Sequence, residues 1–312
     1  SLFRVVFHME SQSGPKLDKD EEVEYQAESK CFTNLALSNE EIVNKFYSEL
    51  SGDASIKVKA SLALALKSCL NKDEFLKHKV ALLGRYLEEA TSENFIFSTN
   101  LKLKKIGLGT LITAVYKRPL VGLPLVSKLL PRILENELVQ KKEYIKIVRI
   151  GPFKHKLDDG LESRKQIYEL IYSALTAIES NSSLEILFDI DYDNLFIKIV
   201  KSSFRDDPTI IFLCLLIVLK VTTLHPEIFS SSELLGVFIH VCSKKLFKKT
   251  RAEASKQEIE KRNDTIKAIL RCCKKINTLI EKGNLRPDGD VLAEWRSFYY
   301  NTKTMYPVIN AE

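Results

Sequence analysis

Glycine and proline are scarce in this chain of 312 residues, at 11 and 9. A sandwich or barrel needs a turn every ten residues or so, and this sequence has too few turn formers to supply them. Long helices with short connections are the alternative that fits. Long apolar runs are missing as well. The longest, at 210–219, is about half of the ~20 residues that cross a bilayer, and Lys220 closes it. It reads as a buried core helix, and no membrane role is expected. The six cysteines, Cys31, Cys69, Cys214, Cys242, Cys272 and Cys273, form no C-x-x-C and no paired Cys/His cluster, so the usual metal-ligand spacings are absent. Cys272 and Cys273, adjacent on a helix, point about 100° apart and suit neither a shared metal nor a strain-free disulfide. All six are expected to be reduced structural thiols.

Catalytic signatures are lacking too. There is no Gly-rich phosphate loop, no G-x-S-x-G and no H-E-x-x-H, the motifs that would announce nucleotide, acyl-transfer or zinc chemistry. The five histidines (His8, His78, His155, His225, His240) are far apart in the sequence. The carboxylate pairs Asp158/Asp159 and Asp206/Asp207 precede helical patterns, where they read as caps complementing the helix dipole. No enzymatic activity, metal or cofactor is expected.

What the chain does contain is 45% hydrophobic and 28% charged residues, the balance of a globular protein with a substantial core. It opens at Ser1, with no initiator Met and no cationic segment followed by an apolar one, and reads as a fragment without a secretory signal. Residues 9–30 carry Gly14-Pro15 and an acidic cluster at 18–24 with little apolar content. Residues 1–37 are therefore expected to be a flexible acidic segment. From Ser38 onward amphipathic helices of roughly 12–20 residues follow one another across short polar breaks. Ser38 and Glu41 spell a capping box. Ile42, Val43, Phe46 and Leu50 form one apolar stripe, and Val58, Leu62, Ala65, Leu66 and Cys69 the next,. Pro124 suits a first helical turn. The helices pair into units of about 40 residues, the size of HEAT and armadillo repeats. The expected fold is all-α, a HEAT-repeat superhelical solenoid, with repeats at 38–139 and 161–282 and a C-terminal tail at 283–312. A non-repetitive helical domain is the alternative.

One segment breaks the helical pattern. Residues 144–150 (YIKIVRI) are β-branched and aromatic, Gly151-Pro152 supplies a turn, and residues 153–157 return toward Asp158-Asp159-Gly160. The spacing predicts a β-hairpin within 140–160. Ile145 and Ile147 would lie on one face of its first strand, Val148 and Ile150 on the other. Lys146, Arg149, Lys154 and Lys156 make the ribbon basic. An isolated hairpin is marginal in water, so it either folds back on its own helices or presents a basic, apolar surface to a partner. The helix that follows is well specified, with Asp159 and Glu162 as an N-terminal box and Ile167, Leu170, Ile171, Ala174, Leu175 and Ile178 at helical spacing,.

Charge is concentrated late in the chain. Residues 241–286 hold fourteen Lys/Arg against five Asp/Glu, within a total of +6. Lys244, Lys245, Lys248, Lys249 and Arg251 are either a solvated face or a patch that steers an acidic partner. Few aromatics accompany them, which argues against a single-strand nucleic-acid platform.

Residues 149–172, RIGPFKHKLDDGLESRKQIYELIY, closely resemble the G-P-F-K-H, D-D-G-L and R-K run near the C-terminus of the cullin-associated, neddylation-dissociated (Cand) family. Residues 254–272, ASKQEIEKRNDTIKAILRC, look like that family's late K-Q-E-x-E-K helix, and the Leu-rich 210–224 resembles its intervening core helix. The resemblance covers about residues 140–280. It implies a HEAT solenoid whose partner is an un-neddylated cullin carrying its RING-box subunit, in the cytoplasm and nucleus. A projecting hairpin would compete there with the adaptor and F-box-type receptor, and an N-terminal Cand portion would be a further partner. Carried onto this sequence, the contact residues would be Ile147, Arg149, Ile150, Gly151, Pro152, Phe153, Lys154, His155 and Lys156. A karyopherin-like HEAT carrier and a nucleic-acid-binding helical-repeat protein are the other readings of such a chain.

Overall fold

Apolar residues recurring at helical spacing generate twelve α-helices among the described residues of the computed structural model, which are 18–38, 40–52, 54–77, 79–150, 153–248 and 256–307. The chain forms two compact units, Ser1–Leu125 and Val126–Glu312.

The first unit contains α1 (Asp18–Ser38), α2 (Glu40–Ser51), α3 (Ile56–Leu70), α4 (Val80–Ala90), α5 (Leu101–Lys117) and the start of α6 (Pro119–Asn136). Helix α1 packs on α3 and α3 on α5, while α2 packs on α4. Odd and even helices thus make two layers, the stacking of a HEAT-like array. Phe32, Leu62, Leu70, Tyr86 and Phe95 are fully buried at its centre, and burying each side chain of the Leu or Phe kind contributes about 1.5–3 kcal/mol. Asn100 caps α5 by accepting from the backbone N–H groups of Lys102 and Leu103. Helix α6 leaves the end of α5 at a tight corner, where a Cβ on Gly122 would come within 2.6 Å of the Val115 backbone nitrogen. Only glycine permits that approach.

The second unit repeats the arrangement with α7 (Leu161–Ser180), α8 (Tyr192–Ser203), α9 (Pro208–Leu224), α10 (Ser232–Leu246), α11 (Lys256–Glu281) and α12 (Gly289–Met305). Here α7 packs on α9 and α9 on α11 in one layer, and α8 on α10 and α10 on α12 in the other. The apolar run at 210–219 is the middle of α9, burying Ile210, Ile211, Cys214, Leu215, Ile217 and Val218. No helix among the described residues is long and apolar enough to cross a membrane. Phe196, Phe229 and Phe238 form an aromatic cluster with centroids 5.1–6.3 Å apart, Phe229 meeting each of the other two edge-to-face. The fold is therefore all-α, built of HEAT-like helix pairs with one two-stranded hairpin.

Several boundaries differ from the sequence reading. Asp18–Ser38 is a helix where a flexible segment was expected. Ser29, Phe32, Thr33 and Ala36 are buried at helical spacing, and this short stripe anchors a stretch whose overall composition is polar. Residues 1–17 lie outside the described residues. Ser38 ends α1, its hydroxyl donating to the Leu35 carbonyl, and is not the cap of the next helix. Pro119, not Pro124, occupies the first turn of α6. The span expected as a tail contains α12, which buries Val291, Trp295, Phe298 and Thr302. Trp295 donates its indole N–H to Asn277 at 3.3 Å.

Candidate functional site

The β-branched run folds as a ribbon. Strands β1 (Ile145–Ile150) and β2 (Phe153–Asp158) pair antiparallel, with Ile147 opposite Lys156, Val148 opposite His155 and Lys146 opposite Leu157. Gly151 and Pro152 lie outside the described residues, as do the side chains of Ile150, Phe153, Lys154 and His155. Of the other hairpin side chains, those of Lys146, Ile147, Val148, Arg149, Lys156 and Leu157 are open to solvent, while Ile145 and Asp158 are half-buried. Ile147 is 71% exposed and Leu157 48%, and Lys146, Arg149 and Lys156 are exposed around them. A branched aliphatic left this open gains nothing from folding by itself, so the ribbon does not owe its stability to burying Ile147.

Its stability comes from the base. Asp159 donates its backbone N–H to the Tyr144 carbonyl at 3.0 Å, and a Cβ on Gly160 would meet the Tyr144 ring at 2.9 Å. Gln140 donates to Asp158 Oδ2 at 2.5 Å and accepts from Lys156 Nζ at 2.9 Å. Beneath them Arg164, in the first turn of α7, is buried to 4% exposure and binds two carboxylates. Its Nη2 donates to Asp158 Oδ2 at 2.7 Å. Its Nε and Nη2 donate to the two oxygens of Asp206 at 2.7 and 2.9 Å. The backbone N–H groups of Gly160 and Asp207 also donate, to Asp158 Oδ1 and Asp206 Oδ1. Burial works to lower the Arg164 pKa, and hydrogen bonds with Asp206 and Asp158 overcome it, raising it further. Burial likewise pushes the Asp158 carboxyl up, but the Arg164 and Gln140 hydrogen bonds and the Arg164 charge together hold it below the usual aspartate range.

These assignments revise the capping scheme. Asp207 caps α9, accepting from the Thr209 backbone N–H at 2.9 Å, as expected. Asp158 and Asp206 instead serve the guanidinium, and the first helical turn of α7 follows Gly160 with no side-chain cap from Asp159. Sequence reasoning missed Arg164. Its signal was a cation at i−3 from Ile167, on the face of α7 that carries the apolar stripe, where a charge needs a buried counter-ion.

The cationic cluster is only partly visible. Lys244 and Lys248 are exposed and Lys245 is half-buried, its pKa lowered by burial and by the Lys248 charge. Lys249 and Arg251 lie outside the described residues. Among the described residues no group of three or more His, Cys, Asp or Glu could hold a metal ion. Chemically, the site is a braced ribbon with exposed aliphatic and cationic groups.

The TIP120 family, described as "TATA-binding protein interacting (TIP20)", matches residues 121–303. A relative from Emericella nidulans, "Cullin-associated NEDD8-dissociated protein 1, C-terminal part", is 29% identical over 66% of this chain and 18% of its own length. Cullin-associated NEDD8-dissociated protein 1 of Candida albicans is 27% identical over 81% of this chain and 21% of its own. The mouse protein of that name numbered 2 is 26% identical over 64% and 15%. The chain thus spans about a fifth of the length of the curated relatives it matches.

Proposed function

The chain belongs to the TIP120 family, and from that premise we propose that it is a cullin-binding regulatory module that acts by binding alone. In this reading the hairpin is the competing element. It occupies, on an un-neddylated cullin carrying its RING-box subunit, surface needed by the adaptor and F-box-type receptor, so that receptor modules exchange. The contact residues are Ile147, Arg149, Ile150, Gly151, Pro152, Phe153, Lys154, His155 and Lys156. The lysines at 244, 245, 248 and 249 with Arg251 steer the approach of an acidic partner. An N-terminal Cand portion completes the grip on the cullin, and the protein works in the cytoplasm and nucleus.

The observation that supports this most is the pairing of an exposed Ile147 with a buried Arg164 brace at the hairpin's foot. Ordering a ribbon before binding reduces the entropy lost on association. The test is displacement of adaptor from a preformed un-neddylated cullin complex, titrated with wild-type chain and with a Phe153→Ala, Lys154→Glu double variant. At least tenfold weaker displacement by the variant, about 1.4 kcal/mol, is expected, with residual cullin binding through the helices. Equal displacement by two equally folded proteins would remove the hairpin from the mechanism.

A further inference from the structure

The register of the hairpin separates two kinds of surface. Side chains alternate along a strand, and directly opposed residues of an antiparallel pair share a face. Ile147, Arg149 and Lys156 therefore lie on one side of the ribbon, and Lys146, Val148 and Leu157 on the other. Ion pairs at the foot decide what charge each side keeps. On the second side Lys146 Nζ lies 2.7 Å from Asp159 Oδ2. Its charge is matched there, and Val148 and Leu157, 37% and 48% exposed, belong to a neutral aliphatic surface. On the first side Asp158 is already held by Arg164. Lys156 donates to the neutral Gln140, and the Arg149 guanidinium has no ion pair or hydrogen bond among the described residues. That side keeps two cations beside Ile147.

Both sides thus expose aliphatic groups, but only one exposes unmatched charge. A partner lying flat against the ribbon covers a single side and gains nothing from the aliphatic groups on the other. A recess with two walls takes both. The wall facing Val148 and Leu157 has to be apolar, because a polar wall would lose its water to groups that offer it no hydrogen bond. The wall facing Arg149 and Lys156 has to bring carboxylates, because a cation taken out of water without a counter-charge is costly. A nucleic acid would answer the two cations but set Val148 and Leu157 against a charged backbone.

We propose that the hairpin enters a protein recess with one apolar and one carboxylate-bearing wall, Val148 and Leu157 packing dry on the first and Arg149 and Lys156 pairing across the second. The proposal rests on the cullin-binding reading and assigns both walls to the surface from which the adaptor is displaced. Each side of the ribbon then has its own signature. Loss of the apolar contact weakens binding at any ionic strength, whereas loss of the cations weakens it chiefly at low salt.

The experiment titrates the full chain against a preformed un-neddylated cullin complex and reads adaptor displacement at about 0.05 M and about 0.5 M salt. The apolar-side variant is Val148→Thr with Leu157→Thr, which keeps strand-forming residues. It is expected to displace at least tenfold more weakly at both salt concentrations. The cationic-side variant is Arg149→Glu with Lys156→Gln, expected to lose at least tenfold at low salt and less than threefold at high salt. Melting temperatures within about two degrees of wild type verify the fold, and Val148→Thr alone carries the apolar arm if Leu157→Thr lowers them. The same salt dependence in both variants, or wild-type displacement by either one, would overturn the two-walled recess while leaving the hairpin in the mechanism. Undiminished displacement by both variants and by the Phe153→Ala, Lys154→Glu protein would overturn the cullin-binding role of the hairpin and this proposal with it.

Discussion

Arg164 and Asp206, forty-two positions apart, meet side-on, with Nε to Oδ2 at 2.7 Å and Nη2 to Oδ1 at 2.9 Å. The pair ties the first turn of α7 to the corner before α9, and through Asp158 the same guanidinium holds the foot of the hairpin. A single buried cation therefore couples the ribbon to the helical layers that support it.

Removing that cation leaves two carboxylates, 7% and 12% exposed, without their counter-charge. Breaking a buried ion pair from one side costs about 3–5 kcal/mol. Arg164→Ala should lower the unfolding free energy by about that amount in a urea titration. A loss below about 1 kcal/mol would mean that water replaces the guanidinium at little cost.

The depressed Asp158 pKa sets the sign of an acid dependence. Its folded-state value lies below its unfolded one, so its contribution is complete above the ordinary aspartate pKa of about 3.9 and is lost as pH falls through the folded value. Wild-type protein should therefore lose melting temperature more steeply below about pH 4 than Asp158→Asn. Parallel melting curves for the two from pH 6 to pH 3 would show that Asp158 gains nothing from its partners.

Ile147 should be silent in stability and loud in binding. At 71% exposure, Ile147→Asp is expected to shift the unfolding free energy by no more than about 0.5 kcal/mol. On the proposed function it should weaken adaptor displacement about tenfold or more. A large drop in melting temperature would reveal that the ribbon folds back on this chain after all.

Two helical glycines should respond with opposite signs. Gly122→Ala drives a Cβ to 2.6 Å from backbone, and overpacking of that kind costs about 1–3 kcal/mol. Gly236→Ala in α10 meets nothing within 4 Å, and the reduced freedom of its unfolded chain should raise stability by about 0.4–1 kcal/mol. Chemical denaturation of the two variants decides it, and a stabilised Gly122→Ala would contradict the tight corner between α5 and α6.

The cysteines should divide one against five. Cys31 is exposed, and Cys69, Cys214, Cys242, Cys272 and Cys273 are buried, with burial pushing Cys69 and Cys214 up to about 12. A thiol reagent at pH 8 should label one equivalent rapidly in the native state and the remainder only on unfolding, because the thiolate is the reactive form. Rapid labelling of two or more would place a second thiol at the surface.

By itself the sequence determined the helical class, the pairing of helices into repeats and the position of the hairpin. Each of these is a local pattern: a scarcity of Gly and Pro, apolar spacing of three and four, one β-branched run bounded by Gly-Pro. Local pattern also placed Asp207 as a cap. It failed where composition and burial part company, at α1, where Phe32 and Ala36 outweigh an acidic neighbourhood, and at α12, where the only tryptophan anchors an otherwise polar stretch. What only the tertiary structure decided was the role of Asp158, Arg164 and Asp206, and the exposure of Phe212 between two charged walls. Forty-eight residues separate the ends of that ion triad, and Phe212 is flanked by residues of α7 and α11. Sequence spacing carries information across a few helical turns, whereas these arrangements exist only after distant helices have stacked, when burial decides which charges must find one another.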